Sequence, residues 1–503
     1  MNLKVLLIVI AIINFILPLG ITPLFDLDEG AFSEATREML ASKNYITTYL
    51  DGALRFDKPI LIYWLQAFSV KIFGLNEFAL RLPSAIAGLF WAYFIYIFTK
   101  RVYNKDIAYY ATLFMISALQ INLIAKAAIA DSLLNLFIAL SIFSAWLYLD
   151  TNKNKYLYLS FASIGLGTLT KGPVAIMVPL ISIFIFMLMN RQIGKFFKTI
   201  FNPLGIVIFL AIALPWYILE YIDQGQKFID GFFLKHNIQR FNSAFESHKG
   251  SIFYYIPVVI LGVLPFSSIL LKTILKIKDI LVSNLELFLI IWFLFVFVFF
   301  SFSGTKLPHY VIYGYTPLFI LMGVYASKNL NKLSFFDISF VLALYIILFA
   351  LPFLSSYIEP KNQYIKDILD GVKDSFDIKY LIFIAFGFGA TIIVYKINLN
   401  IKYKSAIFAL IFTALINFVV IASYGNLVQQ PLKDAAIYAK KHNLKVIRHG
   451  ITMPSFLVYL EDKSLKEEPK KGSVVLTKSK SLNEFKSYEV LFNKNGIYLI
   501  KLK

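Results

Sequence analysis

Apolar segments of about 20 residues, the length of a membrane-spanning helix, recur from one end of this chain to the other. Hydrophobic residues make up 58% of the 503, more than the roughly half found in soluble domains. An ordinary soluble domain is therefore excluded. Spans are expected at about 3–25, 78–99, 105–125, 131–149, 155–170, 173–189, 203–222, 251–272, 284–302, 309–326, 334–354, 378–396 and 403–423, about 13 in all. The fifth and sixth are separated only by "LTKGP". The first has a long apolar stretch and no small-residue cleavage site before its acidic end, so it reads as a retained span rather than a secretion signal.

The net charge of +19 would suggest nucleic acid in a soluble protein. Here its distribution follows membrane topology. With the N-terminus cytoplasmic, the inside loops carry Lys100, Arg101 and Lys105; Lys153 and Lys155; Arg191, Lys195 and Lys198; Lys272, Lys276 and Lys278; Lys328 and Lys332; and Lys396, Lys402 and Lys404. Acids there are few, namely Asp106, Asp150 and Asp279. This is the positive-inside pattern, and it leaves no reason to invoke a nucleic-acid partner. The chain has no cysteine, which rules out disulfides, thiolate metal sites and cysteine nucleophiles.

An odd number of spans places the C-terminus outside. Composition changes near Ser423. "PLKDAAIYAKKHN" has helical spacing and a proline suited to a first turn, and "KVIRHG", "SVVLTK", "YEVLF" and "GIYLIKL" read as short strands. The expected fold is an all-α polytopic membrane protein with interfacial helices in its first outer loop, residues 1–423, followed by a small extracytoplasmic α/β domain, residues 424–503. Two outer segments are long, 26–77 and 223–250, and loops of that length in a compact protein are usually functional. The first holds two helical patterns, Phe32 to Leu40 and Ile60 to Phe73, the latter suited to lying in the membrane interface.

Charged clusters gather at the outer ends of the spans. Asp28 and Glu29 stand at the first exit, where a charge is costly unless hydrated, paired or useful. Capping of the following helix is the simplest use of one of them. Arg55, Asp57 and Lys58 precede Pro59. Lys58 at an interface can snorkel or hold a lipid phosphate as a compact point charge. Lys126 and Asp131 flank a short turn, where a local ion pair is the plain expectation. Arg81, Lys171, Lys306, His236, Arg240 and His248 fall on the same side. A transporter places its ionisable groups near the bilayer midplane. Cations beside carboxylates at the outer interface instead suit a lipid-linked phosphate substrate.

"DEGAFSEATREMLASKNYITTYLDGALRFDKPILIYWLQA" resembles the first extracytoplasmic loop of the bacterial aminoarabinose transferase family, relatives of the protein O-mannosyltransferases and membrane glycosyltransferases of the GT-C type. "LTKGP", "LPWYI", "HNIQRF" and "GTKLPHY" follow in the family's order. The resemblance implies a polyprenyl-phosphate-sugar donor and transfer outside a bacterial inner membrane, with the C-terminal domain periplasmic. It also implies an acceptor that is a lipid A-like glycolipid or a protein. Asp28 falls on the family's catalytic acid, Glu29 beside it, and Asp131 on a second acidic position. Lys58 falls on the lysine that contacts the donor phosphate. The chain departs from the "DE-x-R-Y" pattern with Ala31 and Phe32, so that arginine is missing. Asp57 replaces a glutamate, and Arg55 is the candidate for the lost cation.

The implied chemistry is a single displacement at the anomeric carbon with inversion. Lys58, aided by Arg55, Arg81 or Lys306, would stabilise the leaving polyprenyl phosphate. With a hydroxyl acceptor Asp28 is the general base, worth about 10²–10⁴-fold. With an ionised phosphate acceptor it orients or stabilises the reacting centre. No cofactor is required, although Asp57 and His236 are of the right types to share a divalent metal such as zinc. A flippase or transporter of lipid-linked sugar is the rival from another class, and a protein O-mannosyltransferase-like enzyme the rival within enzymes.

Overall fold

The computed structural model describes residues 2–239 and 250–503, with the backbone alone for 235–239. Among the described residues eight helices are long and apolar enough to cross a membrane, ten if each of two bent pairs counts as one span. Each of the thirteen expected spans has a helix at its place, but not all are of membrane length. The first helix, Leu3–Phe15, stops after 13 residues, because Pro18, Gly20 and Pro23 follow and cannot sustain the ladder. Val174–Met189 has only 16 residues. Asn154–Lys171 has 18 residues but carries polar groups at both ends.

The two bent pairs are Lys105–Ser117 with Leu119–Ala125, at 67°, and Tyr255–Gly262 with Ser267–Leu275, at 119°. Pro265 lies in the second break and supplies no N–H. The breaks face each other, and the Leu119 N–H donates to the Leu264 carbonyl at 2.8 Å. Each bend thus satisfies a backbone group that the other exposes, as a buried chain requires.

Two helices follow the first exit. Asp28–Ser42 is buried along most of its length, polar residues Ser33, Glu34, Thr36, Arg37 and Glu38 included. Glu34 and Arg37 satisfy each other through two hydrogen bonds of 2.6 and 2.7 Å. Leu61–Phe73 instead buries Ile62, Tyr63, Gln66 and Val70 and turns Trp64, Phe68 and Ile72 outward. That exposed apolar stripe at helical spacing suits an interfacial helix.

The last membrane-length helix runs Ile401–Val428. Gln430–Lys441 follows it, with a proline in its first turn. The C-terminal sheet has the order Val446–Arg448, Val474–Lys478, Ile497–Leu502, Tyr488–Lys494. The first pair is parallel and the others antiparallel. The short helix Ser455–Leu460 docks this domain on the membrane part. Val458 packs with Leu24, Val70, Ala79, Leu80 and Ala128. The Tyr459 hydroxyl accepts from the Leu24 N–H at 2.7 Å and donates to Glu77 at 2.9 Å.

Candidate functional site at the docked end of the bundle

Asp28 and Glu29 are neighbours with opposite surroundings. Glu29 is 5% exposed. Its Oε1 accepts from Arg81 Nε and the Ala128 N–H, and its Oε2 from Arg81 Nη2 and the Phe25 N–H, all within 2.7–2.8 Å. Four donors fill the four lone-pair sites of the carboxylate. The rest of the Arg81 fork goes to the carbonyls of Leu19, Thr22 and Pro23. Glu29, expected in catalysis, and Arg81, expected at the donor phosphate, are thus engaged with each other and with the backbone. Both reach a cavity wall, but neither has hydrogen-bonding capacity left to offer a substrate.

Their work is to hold the turn before Asp28–Ser42 against helix Glu77–Val102. Asp28, the first residue of its helix, is thereby presented exposed, and no described residue donates a hydrogen bond to its carboxylate or forms an ion pair with it. It lies on the wall of two cavities. The first, about 270 Å³, includes Asp26, Lys126, His309 and Asn417 among its lining, with apolar Leu123, Ile124 and Ile421. The second, about 450 Å³, is lined by Ala31, Arg55, Asp57, Arg448 and Lys466 among others. One carboxylate faces both.

Asp57 accepts from Arg55 Nη2 at 3.0 Å and from Lys58 Nζ at 2.7 Å. The Arg55 guanidinium lies 5.5 Å over the Phe32 ring, so it occupies the neighbourhood of Ala31 and Phe32, where the expected arginine is missing. Phe56 meets Phe228 at 5.8 Å between ring centroids, which turns this loop towards the segment that contains His236. The side chain of His236, like Arg240 and His248, lies outside the described residues. Among the described residues there is no group of three or more His, Cys, Asp or Glu fit to hold a metal, and Asp57 is already engaged by two cations.

Asp131 is 3% exposed and lines neither cavity. Lys171 Nζ at 2.6 Å and the Tyr313 hydroxyl at 2.8 Å hold it, so the expected local pair with Lys126 does not form. Asp131, expected as a catalytic group, is engaged here inside the bundle. It ties together three helices and the "LTKGP" turn. That turn needs its glycine: Gly172 has φ +77°, and a Cβ there would lie 2.8 Å from Phe232. Lys306 Nζ donates to the Ser303 carbonyl at 2.7 Å and lines neither cavity, so it is not placed with Lys58 and Arg55.

Sequence reasoning assigned no site role to three cations. Lys126 is buried on the first cavity, and its described hydrogen-bond partner is Asn417. Its position in a turn was visible, but its partner from residue 417 was not. Arg448 and Lys466 come from the C-terminal domain, and both pair with Asp51 of the first long loop. No motif marked them.

The family profile described as Dolichyl-phosphate-mannose-protein mannosyltransferase matches residues 57–219. The protein named Undecaprenyl phosphate-alpha-4-amino-4-deoxy-L-arabinose arabinosyl transferase in Wigglesworthia glossinidia brevipalpis is 32% identical over 329 residues, 64% of this chain and 57% of that protein. The protein of the same name in Yersinia enterocolitica is 33% identical over 326 residues, 63% of this chain and 58% of that one. The chain thus spans less than two thirds of the length of these named relatives. An uncharacterized protein of Aquifex aeolicus is 30% identical over 366 residues, 73% of this chain and 82% of that one. Among solved structures, ArnT from Cupriavidus metallidurans bound to undecaprenyl phosphate superposes over 99% of this chain and 97% of its own, with a TM-score of 0.79 and 21% identity. At that identity the likeness is one of fold.

Proposed function

The chain belongs to the GT-C family of integral-membrane glycosyltransferases related to the aminoarabinose and protein mannosyl transferases, and from that membership we propose that it moves a sugar from a polyprenyl-phosphate donor to a lipid A-like glycolipid outside the inner membrane. The observation that carries this reading is Asp28: an exposed carboxylate with no ion pair among the described residues, on a wall shared by two cavities. A group that must serve a donor on one side and an acceptor on the other needs that position.

The acceptor's nucleophile attacks the anomeric carbon as the bond to polyprenyl phosphate breaks, with inversion. Asp28 takes the proton from a hydroxyl acceptor. With an already ionised phosphate acceptor, Asp28 orients the attack instead. The leaving phosphate gains charge, and fixed cations stabilise it most where water is excluded. Lys58 is the proposed partner for it. Lys126, at the first cavity beside Asp28, is a second cation for the same charge.

No cofactor enters the reaction. A divalent metal such as zinc between Asp57 and His236 would compete with Arg55 and Lys58 for the Asp57 carboxylate, and chelation is expected to leave turnover unchanged. The N-terminus is proposed to be cytoplasmic and the C-terminal domain periplasmic, which brings both cavities to the face where lipid-linked donors are used.

The match to a protein mannosyltransferase profile gives a protein acceptor as the second reading. One experiment separates these readings from each other and from a flippase. Purified protein is given a polyprenyl-phosphate sugar with either a lipid A-type glycolipid or a Ser/Thr peptide, and free polyprenyl phosphate is measured. Release that depends on the glycolipid is expected. Release only with peptide selects the second reading, and no release with either overturns the transferase.

A further inference from the structure

A chain of buried amides joins three helices and ends at the first cavity. Asn14, Asn122 and Asn417 are each at most 1% exposed. The break between Lys105–Ser117 and Leu119–Ala125 frees the Ile116 carbonyl, which accepts from Asn14 Nδ2 and Asn122 Nδ2, both at 2.9 Å. Asn122 Nδ2 also donates to the Ala118 carbonyl at 3.2 Å. That leaves Asn122 Oδ1 as an acceptor, and Asn417 Nδ2 donates to it at 3.2 Å. The Asn14 carbonyl stands 3.5 Å from the same nitrogen. Backbone carbonyls can only accept, so each amide in the chain has one allowed orientation. Asn417 Oδ1 is thereby turned to Lys126 and accepts from its ammonium.

Asn417 lies in a π-helical turn, Ile416–Val420, inside the last membrane-length helix. Such turns interrupt the regular ladder and recur at functional sites. Lys126 is 8% exposed on the cavity wall, and among the described residues it has one hydrogen bond and no ion pair. Buried charges are ordinarily paired. The acids of the same cavity are not its partners. Glu29 is taken by Arg81, Asp26 by Ser455, and Asp28 pairs with no cation among the described residues. Arg81 and His309 are the other titratable groups of this lining. A neutral amide thus holds the ammonium in place without cancelling its charge. Two of its three N–H donors stay unclaimed among the described residues. Burial and then Arg81 pull this ammonium down to about 7, against the opposite influence of Glu29.

We propose that Asn417 is a positioning residue, which fixes the Lys126 ammonium on the wall of the first cavity, still fully charged, for the phosphate of the lipid-linked donor. The proposal rests on the transferase reading above. The same lining has Leu123, Ile124 and Ile421, apolar surface beside the cation, as a phosphate carried on a polyprenyl chain requires. The last membrane-length helix then acts on the reaction through Lys126 alone. Its π-helical turn sets where the amide points, and the carbonyls at the helix break set which end of the amide faces the cation.

The test is a double-mutant cycle on the full-length protein in detergent, read as the KM for the polyprenyl-phosphate sugar at saturating acceptor. Lys126→Gln keeps an N–H for Asn417 Oδ1 but loses the charge, so it should fold normally and raise the donor KM about tenfold or more. Asn417→Leu should raise the donor KM in the same direction and leave the acceptor KM unchanged. In the Lys126→Gln background it should add nothing, because the two residues act as one unit. The pH profile of donor kcat/KM reports the free enzyme. In wild type it should fall above about pH 7 as Lys126 loses its proton. Lys126→Gln should lack that limb. Asn417→Leu removes an acceptor that favours the charged form, so it should move the limb to lower pH, which a purely structural contact would not do. If Asn417→Leu fails to fold, Asn417→Ser takes its place in the cycle, with the same expected directions. Single effects that multiply in the double variant, or a donor KM unmoved by Lys126→Gln, overturn the positioning role and leave the transferase standing. Binding of polyprenyl phosphate is compared in parallel with that of the uncharged polyprenol. A phosphate preference that depends on Lys126 and Asn417, with no release of polyprenyl phosphate in turnover, overturns the transferase reading while the anion site stands.

Discussion

Arg81 grips Glu29 with two parallel hydrogen bonds, Nε to Oε1 and Nη2 to Oε2, each 2.8 Å. The pair is nearly inaccessible, with side chains 4% and 6% exposed. It closes the turn that carries the chain out of its first helix and on to Asp28. Breaking one half of a buried pair strands the other charge, a cost of about 3–5 kcal/mol. Glu29→Gln or Arg81→Gln is therefore expected to lower the unfolding temperature sharply and to reduce the yield of inserted protein. An undiminished melting temperature with lost turnover would return Glu29 to the chemistry.

The adjacent carboxylate should behave in the opposite way. Asp28→Asn is nearly isosteric and removes a charge that no ion pair among the described residues needs. Folding and insertion should be unchanged while polyprenyl phosphate release falls by about 10²–10⁴-fold with a hydroxyl acceptor. Near-normal release would leave Asp28 only the role of favouring the start of helix Asp28–Ser42.

The contrast between these two residues shows what the sequence could and could not disclose. Hydropathy and length located the helices, and the short apolar runs in "SVVLTK" and "GIYLIKL" located strands that the structure places at Val474–Lys478 and Ile497–Leu502. Those are local signals. The fate of Glu29 depends on Arg81, 52 positions away, and that of Arg448 on Asp51, 397 positions away. Nothing local tells a carboxylate facing a cavity from one saturated by a distant guanidinium. The charged clusters were legible as one end of the bundle because topology sorts them. Which members stayed available was decided by packing. Asp131 shows the same limit, since its partners Lys171 and Tyr313 come from two other helices.

The two proposed cations for the leaving phosphate can be separated by kinetics. Lys58 is shared with Asp57, and Lys126 lies on the first cavity with Asn417. Lys58→Ala should raise the donor KM or lower kcat at fixed acceptor, by about 10-fold or more for a lost charge-assisted contact. Lys58→Arg should rescue only part, because a planar guanidinium does not replace a point charge. Varying the lipid-sugar concentration in each variant measures this. If Lys58→Ala alters only the acceptor dependence and Lys126→Ala alters only the donor dependence, the phosphate belongs to Lys126.

The docking of the C-terminal domain should depend on pH through Asp26. Its carboxylate accepts from the backbone N–H of Ser455 at 3.0 Å and from the Ser455 hydroxyl. Burial raises this carboxyl to about 7 against the ordinary 3.8, although the Ser455 hydrogen bonds pull it down and Glu29 pushes it further up. The folded state therefore prefers the protonated form. The stability tied to it is complete below about 4 and is lost as pH rises towards about 7. Thermal unfolding should accordingly occur at lower temperature at pH 8 than at pH 5. Asp26→Asn, neutral at every pH, should flatten that difference. Gly30→Ala is the companion variant. A Cβ on Gly30 would lie 2.6 Å from the Ser455 backbone nitrogen and closer still to Asp26 Oδ1. It should therefore weaken the same contact at all pH values and expose the 453–460 segment to protease. If Asp26→Asn keeps the wild-type pH dependence, the dependence arises from another group and Asp26 is a pH-independent link between loop and domain.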